Sequence, residues 1–349
     1  MDAPISPVLD VPLSVLDVAP VTRGMSVGDA LHDALEYADA AERLGYARIW
    51  YAEHHNMPAI ASSAPEVLIS TVAARTARIN VGSGGVMLPN HAPLMVAERF
   101  GTLEALHPGR IDLGIGRAPG TDPRTAAALR GGLGASGRDL PELLFELFGF
   151  TGGFPEGDAM HGMQATPGYG YLPRVWLLGS SGSSAQLAGQ LGLRFATAHH
   201  FAPVGTVASL EAYREHFRPS VQLEEPYGVV TVQVVAAPTE EEARELADAV
   251  ALMFLRMRMG ARPDVLPTKD EIAAYPWTDE ERAFADHMLA LQAVGTPDQV
   301  MSRLAQLREA SGADELMVTS MLPDPADRLR SLELVAEAAG IDGVVASSP

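Results

Sequence analysis

Residues 79–116 have the sequence INVGSGGVMLPNHAPLMVAERFGTLEALHPGRIDLGIG. Two short apolar runs, 79–82 and 111–116, flank a longer segment in which apolar residues recur at helical spacing. That segment begins at Pro93, and proline is favoured at the first position of a helix because no N–H partner is needed there. The pattern predicts a strand, a helix and a second strand, which is the unit of a parallel sheet.

The same alternation runs from one end of the chain to the other. The predicted strands are 13–18, 47–51, 79–82, 111–116, 175–178, 195–198, 229–235 and 316–319. The predicted helices include 27–44, 65–76, 93–106, 183–191, 239–255, 297–309 and 326–338. Eight strand-helix units with no break in composition predict one α/β domain over residues 1–349, a TIM-type (β/α)8 barrel. An open, doubly wound parallel sheet is the alternative.

One segment does not fit this alternation. Residues 256–295 contain Pro263, Pro267 and Pro276 and separate the helix at 239–255 from the last predicted strand. Connections of this length without regular structure are uncommon in compact domains, and they often cover a binding site. The sequence therefore predicts a long insertion before the last strand, and we expect it to act as a lid.

The charge balance of the chain limits its partners. Its 349 residues include 25 Lys and Arg against 44 Asp and Glu, a formal net charge of −19. Such a chain repels nucleic acid and anionic membranes, so neither is expected as a partner. The sequence has no cysteine, which excludes disulfides, thiolate nucleophiles and cysteine-ligated metal. It shows neither a secretion signal nor a membrane-spanning apolar run, which predicts a cytoplasmic location.

Polar and glycine-rich segments follow five of the predicted strands. The segments are Glu53-His54-His55-Asn56, Ser83-Gly84-Gly85, Arg117-Ala118-Pro119-Gly120, Gly179-Ser180-Ser181-Gly182-Ser183-Ser184 and His199-His200-Phe201. In a TIM barrel the residues that follow the strands build the active site, because the carboxyl ends of all strands meet at one face. The sequence therefore predicts that these segments surround a single site.

The histidine pairs in these segments are poor metal ligands. Adjacent residues of a strand point to opposite faces, so neither His54 with His55 nor His199 with His200 would chelate one ion. The sequence also lacks the His-Glu-x-x-His motif of metalloproteases and the Gly-x-Ser-x-Gly motif of α/β-hydrolases. We therefore expect no catalytic metal and no serine-hydrolase site.

An anion site is predicted at the start of the helix at 183–191. Free main-chain N–H groups and the positive end of a helix dipole attract an anion, and Gly182 permits close approach. Plain capping of the helix by its serines is the alternative. Arg117 favours a phosphate, because a guanidinium group binds phosphate through paired hydrogen bonds. The sequence has neither Gly-x-Gly-x-x-Gly nor a Walker A motif, so a mononucleotide cofactor such as FMN is expected.

Several motifs together resemble the bacterial luciferase-like flavin monooxygenase family. They are WYAEHH at 50–55, VGSGGVMLP at 81–89, GRIDLGIGR at 109–117, residues 179–193 and GTPDQV at 295–300. The resemblance covers nearly the whole chain. It implies a monooxygenase in which reduced FMN and O2 form a C4a-hydroperoxyflavin that oxygenates a small organic substrate.

The resemblance also implies roles for individual residues. His54 matches a catalytic histidine beside the flavin, and Gly84 and Gly85 match a cis peptide beneath the flavin ring. The residues that would hold the flavin phosphate are Arg117, Ser181, Gly182 and Ser184, with Arg130 or Arg138 as a second arginine. The residues that would line the substrate pocket are His200 and Phe201.

Luciferase itself has a reactive cysteine near the flavin where this chain has Gly116, so we expect no light emission. Because a dinucleotide motif is absent from the sequence, the reduced FMN would come from a separate NAD(P)H:FMN reductase. Members of the family commonly form homodimers, and we expect one here through helices 65–76 and 93–106. These helices have more small and apolar residues than one buried face requires, namely Ala73, Ala74, Val96 and Ala97.

The sequence leaves two other functions open. One is an oxidoreductase that uses the deazaflavin F420, because such enzymes share this barrel superfamily and transfer hydride without oxygen. The other is a flavin-binding protein without catalysis, against which the retained His54 and Arg117 argue.

Overall fold

The computed structural model describes residues 9–131, 138–261 and 264–341. Over these ranges the chain forms one sheet whose strands are all parallel. The strands are β1 (Leu13–Asp17), β2 (Arg48–Tyr51), β3 (Asn80–Met87), β4 (Ile111–Gly116), β5 (Arg174–Gly179), β6 (Arg194–Thr197), β7 (Gly228–Ala236), β8 (Ala293–Gly295) and β9 (Glu315–Thr319).

Helices connect the strands. The helices are α1 (Val27–Arg43), α2 (Pro65–Arg75), α3 (Pro93–Leu106), α4 (Pro123–Leu129), α5 (Leu140–Gly152), α6 (Gly182–Gln190), α7 (Thr206–His216), α8 (Glu240–Arg258), α9 (Lys269–Ala273), α10 (Asp279–Ala290), α11 (Pro297–Ser311) and α12 (Pro325–Ala339). Within the described ranges, no helix is long and apolar enough to cross a membrane.

Eight strands close into a ring in the order β1 to β7 and then β9, which pairs again with β1. These are the eight strands that the sequence predicts, so the TIM-type (β/α)8 barrel is confirmed and the open-sheet alternative is excluded. Strands of such a ring are covered on both faces, by the barrel interior and by the helices. Accordingly, all nine residues of β7 are buried.

The insertion before the last ring strand begins earlier than residue 256. Gln233 of β7 still pairs with Thr319 of β9, but the next three residues of β7 pair with β8 outside the ring. Helices α8, α9 and α10 come between β7 and β8 in the chain. Helix α11, which follows β8, packs between α7 and α12 in the outer helix layer. The helix at 239–255 therefore belongs to the insertion, which spans 237–295; residues 262–263 within it lie outside the described ranges.

Buried charges fill the barrel at the amino ends of the strands. Arg48 donates to Asp112 and to Glu315, each at 2.7 Å, and all three side chains are at most 1% exposed. The indole N–H groups of Trp50 and Trp176 also donate to Asp112, at 3.0 and 3.1 Å. Each of these buried charges has a partner, so the layer fills the amino end of the barrel without an unpaired charge. A cavity is therefore expected at the opposite end of the barrel.

Candidate active site

A cavity of about 580 Å³ opens at the carboxyl ends of the strands. Its floor includes Leu16, Trp50 and Met317 from the barrel interior, and its roof includes Phe254 and Leu266 from the insertion. This volume is typical of pockets for small molecules and cofactors. The cavity thus lies where a TIM barrel places its chemistry.

Most of the sequence-predicted site residues meet in this cavity. The residues that line it are His54, Gly84, Arg117, Ser181, Ser184, His200 and Phe201. Gly85 and Gly182 do not line it themselves but are directly bonded to Gly84 and Ser181 in the chain. Residues from the ends of five different strands, β2 to β6, therefore share one site.

His54 is fixed by main-chain groups on both sides. Its Nδ1 donates to the carbonyl of Gly120 at 3.2 Å, and its own main-chain N–H donates to Ser62 at 3.0 Å. Burial lowers the pKa of His54 below its ordinary value. The ring is therefore neutral near pH 7, with the proton on Nδ1 and a lone pair on Nε2.

The neighbouring Glu53 ties the loops around His54 together. Its buried carboxylate accepts hydrogen bonds from the Met87 amide at 2.9 Å, from His55 at 2.8 Å and from His91 at 2.9 Å. Burial alone would raise the pKa of Glu53, but the bonds from His91, His55 and Met87 outweigh it and hold the pKa below its ordinary value. Glu53 is thus an ionised link between the ends of β2 and β3.

Bare main chain forms the wall at the end of β3. The peptide bond between Gly84 and Gly85 is cis, at the position that the family resemblance implies. A Cβ on Gly84 would lie 2.5 Å from the side chain of Leu16, and one on Gly85 would lie 2.7 Å from the carbonyl oxygen of Gly114. A side chain is therefore excluded by backbone at Gly85, while at Gly84 it would require Leu16 to move; without one, a flat ring can approach the backbone there.

The start of α6 has the features of an anion site. Ser181 is the N-cap residue but makes no side-chain capping bond; its Oγ instead lies 3.2 Å from that of Ser183. A Cβ on Gly182 would meet nothing within 4 Å, so the approach to the first helical amides is open. Arg117 lines the same cavity and, among the described residues, forms no ion pair. These donors remain available for a phosphate.

The two candidates for a second phosphate arginine lie elsewhere. Arg130 donates to Asn90 at 3.0 Å, and Arg138 pairs with Glu146. Neither side chain lines the cavity. The structure therefore brings Arg117 to the site and leaves Arg130 and Arg138 outside it.

His200 and Phe201 form part of the wall at the end of β6. His200 Nδ1 donates to the carbonyl of Thr231 at 3.2 Å, and its ring lies 4.2 Å from that of Phe201. Burial lowers the pKa of His200 to about 4, so this ring is also neutral. The ring of Phe201 in turn packs edge to face against the ring of Phe254, a residue of the insertion, with 5.9 Å between the ring centroids.

The other member of each histidine pair points away from the cavity. His55 binds Glu53, and His199 binds Thr206 at 2.8 Å and the Leu291 carbonyl at 2.9 Å. The alternation expected for adjacent residues is therefore observed. Across the described ranges, no group of three or more His, Asp or Glu side chains is arranged to hold a metal ion.

Sequence reasoning missed several residues of the cavity. Thr231 and Gln233 of β7 line it, and alternation from Val229 along the strand would have indicated both. Met253 and Phe254 of α8 also line it. No pattern in the sequence indicated those two, because α8 has the periodicity of an ordinary outer helix.

Comparison with known proteins gives a consistent result. The model of the luciferase-like monooxygenase family matches residues 12–315. The chain is 46% identical over 328 residues to the uncharacterized protein YvbT of Bacillus subtilis, covering 94% of this chain and 96% of YvbT. It is 43% identical over 324 residues to a luciferase-like monooxygenase of Escherichia coli K12, covering 93% of this chain and 96% of the relative.

Solved structures show the same similarity. The crystal structure of apo-MsnO8 is 40% identical, with a TM-score of 0.85 over 95% of this chain and 99% of that one. Two others show the fold alone. The oxygenating component of 3,6-diketocamphane monooxygenase from Pseudomonas putida, in complex with FMN, is 21% identical (TM-score 0.71; 96% and 99% covered). An F420-dependent secondary alcohol dehydrogenase is 14% identical (TM-score 0.62; 95% and 99% covered).

Proposed function

The chain belongs to the luciferase-like monooxygenase family, and we propose that it uses reduced FMN and O2 to oxygenate a small organic substrate. The observation that carries this proposal is the anion site at the start of α6, which joins a mostly apolar cavity. The cavity also contains the bare Gly84-Gly85 wall and the neutral His54. A ligand with one phosphate and one flat, largely apolar ring system matches these features together.

The residues present fit FMN. Arg117, the Ser181 and Ser184 hydroxyls and the amides at the start of α6 would hold its phosphate. The Gly84-Gly85 wall leaves room for the flavin ring, since no side chain occupies it. When bound in its reduced form, FMN supplies the electrons that activate O2. The chain has no dinucleotide motif of its own, so we propose that a separate NAD(P)H:FMN reductase delivers the reduced flavin.

The protein contributes proton handling and exclusion of water. His54 Nε2 has a lone pair that can accept a proton from a group beside the flavin, while Nδ1 stays bonded to Gly120. The apolar floor and roof, among them Leu16, Met317 and Leu266, keep water from an oxidising centre. These residues position and protect a reaction whose redox chemistry belongs to the cofactor.

Binding of three cofactors tests this function. We expect FMN to bind far more tightly than riboflavin, which lacks the phosphate, and to bind more tightly than F420. Reduced FMN mixed with the protein should then consume O2 and, with a substrate present, yield an oxygenated product. Equal affinity for FMN and riboflavin would contradict the phosphate assignment. Hydride transfer with F420 in the absence of O2 would instead identify the F420-dependent function.

A further inference from the structure

Methionine is concentrated around the cavity. Of the 14 methionines in the chain, six line it. They are Met57, Met87, Met253, Met257, Met317 and Met321. The chain has no cysteine, so methionine sulfur is its most readily oxidised side-chain atom. An oxidant formed in this cavity would therefore meet methionines on several sides.

The position of the Met87 sulfur is well defined. Met87 ends β3 and pairs in register with Gly116 of β4, and its N–H donates to the Glu53 carboxylate at 2.9 Å. A Cβ on Gly116 would lie 2.7 Å from Met87 Sδ and 3.1 Å from its Cε, so the thioether fills the space that a side chain at 116 would take. The sulfur therefore packs on the end of β4, three residues along the chain from Gly84.

The segment that follows β4 also holds His54. A Cβ on Gly120 would lie 3.1 Å from Met87 Cγ, and the Gly120 carbonyl accepts the Nδ1 hydrogen of His54 at 3.2 Å. Met87 and His54 thus pack against the same segment, and both line the cavity. Met87 therefore lies on the side of the cavity that contains the proposed proton acceptor.

From this arrangement we propose that Met87 is a modification site, oxidised by hydrogen peroxide that forms within the cavity. Reduction of O2 by reduced FMN in the absence of a substrate yields FMN and hydrogen peroxide. The Met87 sulfur attacks the peroxide, its O–O bond breaks, one oxygen bonds to sulfur and the other leaves as water. Sulfur loses two electrons and the peroxide gains them, so the products are methionine sulfoxide and water. This inference rests on the proposed function for the source of the peroxide.

The modification changes the cavity at Met87. A sulfoxide is polar and chiral, whereas the thioether is a flexible apolar group. Methionine sulfoxide reductases restore the thioether, so the change is reversible. Met87 thereby records periods in which reduced FMN is consumed without a product. Methionine also serves in binding cavities because it packs adaptably, and that role alone predicts no selective oxidation.

The test compares peroxide made in the cavity with peroxide added from outside. FMN is reduced with a stoichiometric amount of dithionite in the dark and mixed with the protein in aerated buffer. Catalase in the buffer destroys peroxide that escapes, and mass spectrometry of peptides measures the oxygen added at each methionine. We expect severalfold more at Met87 than at Met163 and Met259, which are 48% and 68% exposed and do not line the cavity. Peroxide added to flavin-free protein without catalase should reverse this order, since Met87 is partly buried.

Two variants and one enzyme serve as controls. Met87→Leu removes the sulfur with little change of volume, so no oxygen should be added at residue 87. Met259→Leu, a matched change outside the cavity, should leave the oxidation of Met87 as in the wild type. Methionine sulfoxide reductase should remove the oxygen added at Met87, which identifies the product as the sulfoxide.

Two results would overturn the inference. One is oxidation of Met163 or Met259 to the same extent as Met87 in the presence of catalase. The other is oxidation of Met253 or Met257 ahead of Met87. FMN binding and O2 uptake are measured on the same sample. If FMN does not bind, the proposed function fails and this inference fails with it. If FMN binds and O2 is consumed but Met87 gains no oxygen, this inference alone fails.

Discussion

His54 and His200 face the cavity from opposite sides of the ring, and both are held in the same tautomer. His54 follows β2 and His200 follows β6, four places apart in the eight-strand ring. Each donates Nδ1–H to a main-chain carbonyl, of Gly120 and of Thr231 respectively. Both therefore keep a lone pair on Nε2, so each can accept a proton without rearrangement of its ring.

The first prediction concerns stability in acid. The pKa of His200 is about 4 in the folded chain against 6.5 ordinarily, so between these values the unfolded chain binds a proton that the folded chain does not. Stability should therefore fall as pH falls from 6.5 to 4, with His200 responsible for up to about 3 kcal/mol. His200→Asn, which retains a donor for Thr231, should flatten this slope in urea unfolding followed from pH 7 to 4. An unchanged slope would show that His200 does not titrate in this way.

The second prediction concerns the phosphate. Arg117→Ala should weaken FMN binding by about 1.5 to 3 kcal/mol, because one charge-assisted contact is lost, and leave riboflavin binding unchanged. Arg124→Ala is the matched control, since Arg124 is exposed on α4 and does not line the cavity. Fluorescence titration of the two flavins measures both effects. Equal losses for FMN and riboflavin would place Arg117 away from the phosphate.

The third prediction concerns His54. His54→Asn retains a donor for Gly120 but removes Nε2, so FMN should bind almost as before. Product formation should collapse and hydrogen peroxide should be released instead, because the proton acceptor that we propose beside the flavin is gone. Oxygen consumption, peroxide and product are measured in one assay. If product still accounts for the oxygen consumed, His54 has no catalytic role.

The fourth prediction concerns Glu53. Glu53→Gln removes the charge that His55, His91 and the Met87 amide share, and should lower the free energy of unfolding by about 1 to 3 kcal/mol. Glu66→Gln breaks the more exposed ion pair with Arg99 and should cost less than about 1 kcal/mol. Urea unfolding at pH 7 compares the two variants. A loss no larger than that of Glu66→Gln would show that Glu53 does not hold the loops.

The fifth prediction concerns assembly. Of the four residues named for the interface, Ala73, Val96 and Ala97 are buried within the chain and cannot form it, whereas Ala74 is exposed. The exposed large apolar residues of the same two helices are Val67, Met95 and Leu106, at 63%, 48% and 64% exposure. We therefore keep the homodimer as a prediction and assign it to this face. Light scattering should give twice 36.9 kDa for the wild type and 36.9 kDa for Val67→Arg. A wild-type mass of 36.9 kDa contradicts the dimer.

The ring strands were predictable because their residues are buried on both faces. The run Val229–Val235 is valine except for Thr231 and Gln233, and such a short, β-branched and mostly apolar run is typical of a buried parallel strand. The residues at the strand ends followed from the barrel rule, which needs only the strand positions. His54, Arg117 and Ser181 were therefore predicted to meet at one face of the barrel, and all three line the cavity.

The insertion was harder to place, for a physical reason. Helix α8 has a Thr239 cap, three acidic residues in its first turn and a buried stripe, as an outer barrel helix would have. Its role differs only because β7 continues past the ring and pairs with β8, a strand of three residues. Pairing between distant segments leaves little trace in a sequence, so the roof of the cavity and Gln233's position beneath it were not predicted.

The roof is joined to the ring through backbone atoms. Arg23 N–H donates to the Leu266 carbonyl, and Leu266 N–H donates to the Val21 carbonyl, each at 2.8 Å. Bonds of this kind tolerate changes of side chain, whereas a side chain on Gly85 would lie 2.7 Å from the Gly114 carbonyl oxygen. Substitution of the Leu266 side chain therefore leaves this attachment of the roof in place. The shape of the cavity under the roof can thus change through side chains alone, while the main-chain wall at Gly84 and Gly85 keeps its form.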